Sequence, residues 1–428
     1  MLKNNFIKLI IIFIILSIFI YAFSSSYVSH NITNLAYVVA IGLDVIDDNS
    51  TNNNSNSSDI SNSTSYKNIN KIKVSFQFIN TSALGKQGAS SGESTSVVNS
   101  VESSSISTAI NMMNSYIGKE LNLSHCKVIV FSEKFAENDI SEEIYTLINN
   151  TQIRPTTNIV VSKCDANYYI ENSKPSLEQL VTKYYDIFPN SGKYSGYTEN
   201  ITIGDFFNDL VCTSCNPSAI LGGLNINSYN QNDFDNVNDS ISNNSNIIGK
   251  RATENIGLAL FDGGKLVGEL TGLETLWHSI IQNNINTFIV SIPDPKNTNE
   301  YLDLSLTQKR KTKIKVDVST GSPYITVNIS LTGKIFTIDG NSTYKNEAYL
   351  KEISSYANSY IQSSISQYLY KTSKEYKCDI DKFGKIATKH FLTTDEWNNY
   401  NWLNSYQNAF FTVNVDTNVE SGVLISET

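Results

Sequence analysis

Apolar side chains recur with two different periods along the chain, and the shorter of the two predicts strands. Residues 35–45 form an almost continuous apolar run, which predicts a buried strand. Residues 72–78 alternate apolar and polar side chains, as a half-buried strand does. Residues 313–318 and 324–331 alternate in the same way on either side of a short turn and predict an antiparallel pair.

The longer period, with apolar residues three and four positions apart, predicts helices. It begins at Val97 and continues to Ile117, and Gly118 follows as a C-terminal stop. Residues 175–188 predict another helix that ends before Pro189. The longest predicted helix covers residues 347–370. Helices and strands together predict an α+β fold whose packed helices cover antiparallel or mixed sheets.

The most compact motif of the chain is a hairpin followed by a helix. Residues 257–261 and 265–270 predict two strands, and the D-G-G sequence at 262–264 suits the positive φ angles of a tight turn. Thr271 and Glu274 have the spacing of a capping box, so a helix is predicted to begin there. The motif carries no polar group suited to chemistry.

Two tracts rich in Ser and Asn interrupt these elements, at residues 49–64 and 227–246. They contain too few apolar residues to offset the entropy lost on ordering, so both are predicted to be disordered loops. Together with the length of 428 residues, the pattern predicts several domains. The predicted segments are 1–26 as signal peptide or anchor, 33–200 as an α/β domain, 201–295 as a hairpin–helix domain, and 300–428 as an antiparallel sheet with a long helix.

The N-terminus predicts export of the chain. Lys3 and Lys8 precede residues 9–23, which are apolar apart from Ser17. This length suits a secretory signal, and extension through Phe6 and Ile7 would make a retained membrane anchor. The remainder is therefore a predicted extracytoplasmic, membrane-anchored ectodomain, or a protein released after residues 22–24. The net charge of −9 and pI near 5.1 argue against nucleic acid as a partner.

The positions of the cysteines allow several interpretations. Cys126 and Cys164 lie in apolar runs and are interpreted as core residues. Cys212 and Cys215 form a C-x-x-C pair that is structural or incidental, a local disulfide, or a metal or redox site. The pair precedes a turn, and no second pair of ligands follows at zinc-site spacing.

Other candidate polar residues are each interpreted structurally. His125 is the neighbour of Cys126, but consecutive strand residues face opposite ways, so a structural or hydrogen-bonding role is predicted. Asp379 and Asp381 are two residues apart and would face the same side of a strand, but they are expected to be solvated carboxylates of a turn. The tyrosines of the longest helix are interpreted as core packing, with a ligand surface as the alternative: Tyr356, Tyr360 and Tyr368. No catalytic, cofactor-binding or metal-binding residue is predicted, and the chain is not expected to be an enzyme.

Three blocks of residues, in this order, resemble blocks of the Ger(x)C family. The first block consists of an I-G-x-D strand and a later H-x-K-V strand with its turn. In that turn, Ser132 stands where the family usually has Gly. The second is the hairpin, and the third is a D-I-x-x-F-G motif followed by tryptophans. The residues that carry the resemblance are Ile41, Gly42, Asp44, His125, Lys127, Val128, Glu133 and Ala136, then Gly257, Ala259, Phe261, Lys265, Leu266, Val267, Gly268 and Leu270, then Asp379, Ile380, Phe383, Gly384, Trp397, Trp402 and Gly422.

The resemblance implies a function that the patterns alone do not give. Ger(x)C proteins are C subunits of spore nutrient germinant receptors, which implies a non-enzymatic subunit that supports receptor assembly at the outer face of the inner spore membrane. The implied partners are membrane-embedded A and B subunits. Family members are normally lipoproteins, whereas residues 21–30 contain no Cys, so lipidation is not expected. The alternative function is that of a secreted or surface-anchored binding or adhesion protein.

Overall fold

The chain folds into two mixed β-sheets with packed helices, an α+β architecture of two domains that confirms the predicted fold class. The computed structural model describes residues 12–17, 19, 34–46, 71–80, 95–174, 177–178, 180–225, 240–245, 247–249, 251–295, 301–336 and 347–420. The tract at residues 49–64 and most of the export segment lie outside these residues. Within them, no helix combines the length and the apolar character needed to cross a membrane.

The strands and helices of the described residues are numbered in chain order. The strands are β1 (Leu35–Val45), β2 (Ile72–Ile79), β3 (Ser96–Ser103), β4 (Glu120–Asn122), β5 (Val128–Ser132), β6 (Asn158–Ser162), β7 (Ser218–Leu224), β8 (Thr253–Asp262), β9 (Lys265–Leu270), β10 (Thr287–Pro293), β11 (Tyr301–Asp317), β12 (Tyr324–Ile335) and β13 (Phe410–Glu420). The helices are α1 (Ile106–Ile117), α2 (Glu133–Ala136), α3 (Ser141–Ile148), α4 (Ala166–Asn172), α5 (Val181–Ile187), α6 (Gly192–Ser195), α7 (Ile203–Leu210), α8 (Gly272–Gln282), α9 (Glu347–Tyr370), α10 (Phe383–Ala387), α11 (Thr394–Tyr400) and α12 (Trp402–Tyr406).

Among the described residues, the first sheet has nine strands, in the order β3-β2-β1-β5-β6-β7-β8-β9, with β4 paired to β1. Parallel pairing joins β1, β5, β6 and β7, and antiparallel pairs flank this centre on both sides. The central strands β5 and β6 are buried at every position. Helices on both faces of a parallel centre explain why β1 reads as a continuous apolar run.

The predicted helix over residues 97–117 is wrong in its first part. Residues 96–103 form β3, which pairs antiparallel with β2 through Val97↔Phe78 and Val101↔Val74. Helix α1 begins only after Ser105, whose side chain caps it, and ends at Gly118 with φ 63°, as predicted. Valines four residues apart fit a strand as well as a helix, and the free edge of β2 decides between them.

The predicted helix over residues 175–188 is also shorter than expected. Helix α5 begins at Val181, because Leu180 is extended with φ −112° and ψ 131°. A 3₁₀ turn, Phe188–Ser191, then carries the chain through Pro189. Proline is tolerated there because it occupies the first turn, where its missing N–H has no partner to lose.

The predicted hairpin and helix are confirmed. Strands β8 and β9 pair up to Asp262↔Lys265, and Thr271 and Glu274 form the expected capping box of α8. Among the described residues, however, the predicted middle segment 201–295 has no sheet of its own. Its strands β7, β8 and β9 complete the first sheet and β10 begins the second. The boundaries drawn at residues 200 and 300 stay a prediction.

Part of the predicted disordered insertion is ordered. Residues 240–245 form a short turn in which Ser242 and Ser245 are buried. Ser242 donates its hydroxyl to the carbonyl of Leu221 at 2.9 Å, and Ser245 donates to Glu254. The serines satisfy buried acceptors of the sheet, a role that composition cannot reveal. Most of the remaining tract lies outside the described residues.

The second sheet has the order β10-β11-β12-β13. The predicted strand over residues 313–318 is the last part of a longer strand, β11, which has register shifts between Gln308 and Lys313. Because β13 runs parallel to β12, this sheet is mixed, not antiparallel throughout as predicted. Helix α9 packs on β13. Its Tyr368 is buried, while Tyr356 and Tyr360 are half-buried against the core.

Candidate functional site

A buried histidine lies where the two sheets meet. His278 is on α8, which contacts β8 of the first sheet, β11 of the second, and α9. With structure on several sides, α8 buries both its apolar residues and its polar ones: Leu276, Trp277, His278, Ser279, Ile280 and Ile281. His278 is 4% exposed, so its ring must find partners within the protein.

Two carboxylates hold the ring from opposite sides. Nδ1 of His278 lies 2.8 Å from Oδ1 of Asp381, and Nε2 lies 3.4 Å from Oε2 of Glu199. Tyr368 donates its hydroxyl to Oδ2 of Asp381 at 2.8 Å. These four residues, Glu199, His278, Tyr368 and Asp381, form what we call the histidine cluster.

Neighbouring amides and hydroxyls complete the hydrogen bonding of the histidine cluster. Ser279 and Asn284 donate to Oε1 of Glu199, at 3.2 Å and 2.6 Å. Gln282 donates to the backbone carbonyl of Asp381 at 2.5 Å. Since both carboxylates keep several donors, burying their charge does not leave it uncompensated.

The charges of the histidine cluster are fixed by this geometry. Burial lowers the pKa of His278, but Glu199 and Asp381 outweigh burial and raise the pKa from 6.5 to about 10. Burial raises the pKa of Glu199, yet the charge and hydrogen bonds of His278 outweigh it and hold that pKa below its usual 4.5. The ring is therefore an imidazolium at neutral pH, which donates from both nitrogens and cannot act as a general base.

The loop that contains Asp381 carries another buried carboxylate, that of Asp379. Asp379 accepts hydrogen bonds from the backbone N–H groups of Phe383 and Gly384, at 3.0 Å and 2.7 Å. It also accepts the indole N–H of Trp402 at 2.8 Å. Burial raises the pKa of Asp379 to about 7, against the effect of these donors. The carboxylate fixes the start of α10 and the place of Trp402.

The expectation of solvated carboxylates at Asp379 and Asp381 is therefore wrong. Their side chains are 0% and 2% exposed. Each meets donors that are distant in the sequence or supplied by the backbone: an indole, an imidazole, a phenol and two N–H groups. A spacing of two residues indicated a shared direction, but the two carboxylates enter different hydrogen-bond networks.

The structure decides between the interpretations of Cys212 and Cys215. Cys212 and Cys215 form a disulfide, one of the three alternatives. Cys126 is buried and Cys164 is half-buried, and both are free thiols. Within the described residues, no group of three or more His, Cys, Asp or Glu side chains is arranged to hold a metal ion.

His125 lies apart from these groups. Its side chain is exposed, and its ring meets the ring of Tyr37 edge-on with 5.2 Å between the centroids. Of the predicted candidates, the structure joins Cys212 to Cys215 and brings Asp381 and Tyr368 together in the histidine cluster.

Comparison with known families accounts for most of the chain. A model described as the spore germination protein N-terminal domain matches residues 29–222. A second model, described as spore germination B3/GerAC like, C-terminal, matches residues 256–422. The chain belongs to the Ger(x)C family. A search of curated proteins found no match.

The Ger(x)C fold is also seen in a solved structure titled "Crystal Structure of the GerBC protein". The similarity covers 82% of this chain and 94% of that one, with a TM-score of 0.51 and 16% sequence identity. At this identity the likeness concerns the fold. It extends over both sheets, so the two-domain architecture is shared.

Several residues of the Ger(x)C blocks have clear structural roles. Asp44 accepts hydrogen bonds from the N–H groups of Ala166 and Asn167, at 2.6 Å and 3.0 Å, and so caps α4. Gly257 has φ 101°. A side chain on Gly384 would come within 2.5 Å of the carbonyl oxygen of Ser214. These positions serve backbone geometry and capping, not chemistry.

The histidine cluster joins the two Ger(x)C segments. Glu199 belongs to the N-terminal match, whereas His278, Tyr368 and Asp381 belong to the C-terminal one. Sequence reasoning missed Glu199 and His278. One signal was present: His278 is an ionisable residue within the apolar run L-W-H-S-I-I of a predicted core helix. Its partners are 79 and 103 residues away, beyond any local pattern.

Proposed function

We propose that this Ger(x)C protein is the non-enzymatic C subunit of a spore germinant receptor complex. It supports assembly of the receptor and nutrient-triggered germination at the inner spore membrane. The observation that carries the proposal is the presence of both germination-protein segments, residues 29–222 and 256–422, in one chain. The histidine cluster connects residues of the two segments, which supports their action as one unit.

The chemistry of the polar groups supports a role without catalysis. His278 is held as a cation by carboxylates on both nitrogens. The hydroxyl of Tyr368 is engaged by Asp381, and Cys212 is bonded to Cys215. Each of these groups is committed to a structural partner, whereas a catalytic group needs a free acid, base or nucleophile facing a substrate site.

The proposed partners are membrane-embedded A and B subunits, and the proposed place is the outer face of the inner spore membrane. The apolar N-terminal segment would hold the protein to that membrane. Residues 12–17 are helical, and their apolar side chains are exposed, from 52% to 72%. An apolar helix with no covering in the described protein favours a lipid environment for this segment.

The test is nutrient germination of spores that lack this chain. We expect slower loss of refractility with at least one nutrient and a normal response to non-nutrient triggers, restored by the wild-type chain. Affinity capture of the tagged chain from spore membranes should recover multipass membrane proteins. Capture without such partners, together with normal germination on every nutrient, would contradict the proposal and favour a surface binding protein.

A further inference from the structure

Positive charge is concentrated in one short part of an acidic chain. Five cations lie within seven residues of β11, and no carboxylate interrupts them: Lys309, Arg310, Lys311, Lys313 and Lys315. All five side chains are exposed. The chain as a whole carries a formal charge of −9. We call these five residues the basic strand.

The pleat of β11 places the lysines on the outer face of the second sheet. Thr312 and Val316 are buried, so by alternation Lys311, Lys313 and Lys315 point away from the core. Strand β10 pairs with β11 only as far as Thr307. The basic strand is therefore the edge of the sheet as well as part of its open face.

Neutral side chains continue this face across the sheet. Lys313 is opposite Asn328 and Lys315 is opposite Thr326 on β12, and the next strand adds Asn414 and Thr412. Within the described residues, no carboxylate forms an ion pair with the basic strand. The nearest acids along the face are Asp317, which accepts from the N–H of Ser319, and Asp416.

An aromatic pair lies at the end of this face, where Tyr324 is opposite Asp317, two positions beyond Lys315. Tyr324 and Phe410 are cross-strand partners at the end of the same face. Their rings stack with 5.1 Å between centroids, although the side chains remain 48% and 49% exposed. Exposed aromatic rings beside lysines are the composition of surfaces that rest in the headgroup region of a bilayer.

We propose that the basic strand and the Tyr324–Phe410 pair bind the anionic phospholipid headgroups of a membrane surface. An acidic protein is repelled by an anionic bilayer unless its positive charge is gathered on one side, and that arrangement is present here. Juxtamembrane lysines and arginines add to the affinity one by one and lose their effect within a Debye length. The face would thus orient the second sheet towards the bilayer. This inference uses the membrane location but not the receptor role.

The test compares binding of the full-length chain to two kinds of vesicle, phosphatidylcholine alone and phosphatidylcholine with an equal part of phosphatidylglycerol. The N-terminal apolar segment enters both, so the informative quantity is the ratio of the two partition coefficients. For the wild type we expect a preference of at least about tenfold for the anionic vesicles at low salt, abolished at high salt. Lys311→Gln, Lys313→Gln and Lys315→Gln together should bring the ratio close to one.

A matched variant removes the same charge elsewhere. Lys119, Lys174 and Lys193 are exposed and lie outside the second sheet, and their replacement by Gln should leave the preference unchanged. Replacement of the three β11 lysines by Arg should also preserve it. An unchanged preference in the Gln variant with unaltered thermal stability would overturn the proposal. So would a face that binds single-stranded DNA while ignoring lipid charge.

Discussion

One buried group of charges lies where the two sheets meet. His278 contributes one positive charge, and Glu199 and Asp381 contribute two negative ones, in a place that water hardly reaches. Removing one partner of a buried ion pair leaves an uncompensated charge, which costs far more than the intact pair contributes. The cluster is therefore a point at which a one-residue change has a large effect.

His278→Gln is expected to destabilise the protein by about 3–5 kcal/mol at neutral pH, because two buried carboxylates lose their cation. The loss should depend on pH. The folded-state pKa of His278, about 10, lies above the ordinary 6.5. Its contribution is therefore complete below pH 6.5 and disappears as the pH rises through about 10. Urea unfolding of both proteins between pH 6 and 10 measures the difference.

His125→Gln is the matched control for this measurement. His125 is exposed and lies outside the cluster, so its replacement should change stability little at any pH. A difference between wild type and His278→Gln that stays constant from pH 6 to 10 would contradict the assignment of an imidazolium. At acid pH, the lowered pKa of Glu199 predicts a separate loss of stability as the pH falls below 4.5.

The indole of Trp402 supports a buried carboxylate in a comparable way. Trp402→Phe removes the donor to Asp379 and should cost about 1.5–3 kcal/mol at pH 8, with an added cost for the lost volume. Burial raises the pKa of Asp379 to about 7, so the carboxyl is protonated well below that pH. The cost of the missing donor should therefore be smaller at pH 5 than at pH 8.

Trp397→Phe provides the comparison for Trp402→Phe. Trp397 donates to a hydroxyl, that of Thr213, at 3.4 Å, which is a long and weak bond. The two substitutions remove the same atoms, so a larger cost at Trp402 that falls between pH 8 and pH 5 points to the hydrogen bond to Asp379. Equal costs for both at pH 8 would show that Asp379 gains nothing from the indole.

The prediction at these residues failed for a physical reason. Asp379 and Asp381 resemble turn carboxylates because they lie in a short segment that contains a lysine and a glycine, C-D-I-D-K-F-G. Their side-chain donors are Trp402, Tyr368 and His278, which the packing of α8, α9 and α12 brings near. A carboxylate remains buried when distant donors reach it, and no local pattern records such donors.

Features that depend on residues close together in the sequence were predicted well. The D-G-G turn, the capping box of α8 and the Gly118 end of α1 all depend on residues within a few positions of one another. Strand β3 was missed because its pairing with β2 overrides an ambiguous spacing. Local signals therefore gave the ends of elements, and tertiary pairing decided their type.

Gly257 combines a positive φ angle with a close approach of the neighbouring backbone. It has φ 101°, and a Cβ atom there would lie 2.2 Å from the carbonyl oxygen of Leu270. Gly257→Ala should therefore prevent β8 from pairing in its present register and destabilise the protein severely. Chemical denaturation, or the yield of soluble protein when no folded form can be isolated, measures the effect.

Gly263→Ala is the control for the hairpin. Gly263 also has a positive φ, 59°, but open space surrounds its Cβ position. Only the left-handed backbone conformation opposes a side chain there, at a cost of about 1 kcal/mol. If the two substitutions prove equally costly, the close approach at Gly257 does not constrain the hairpin.

At the scale of the molecule, the two Ger(x)C segments should behave as one cooperative unit. Strands from both segments share the first sheet, through β7 paired with β8, and the histidine cluster ties the N-terminal segment to α9. Heating the wild-type protein in a calorimeter should give one transition. In His278→Gln we expect the second sheet to unfold separately and earlier.

Hydrogen exchange locates the separated transition. In His278→Gln, the amides of β11, β12 and β13 should lose protection before those of β5 and β6, which are buried at every position. The wild type should lose both sets together. Two separate transitions in the wild-type protein would refute the cooperative unit, whatever the variant does.

The parallel pairing of β13 with β12 has a consequence for biosynthesis. The chain is synthesised from its N-terminus, so β12 is complete long before β13, with the whole of α9 between them. Until Phe410–Glu420 is available, one side of β12 has unpaired N–H and C=O groups, which can pair with a strand of another molecule. A nonsense codon upstream of β13 is therefore expected to yield a product that aggregates or is degraded by quality-control proteases.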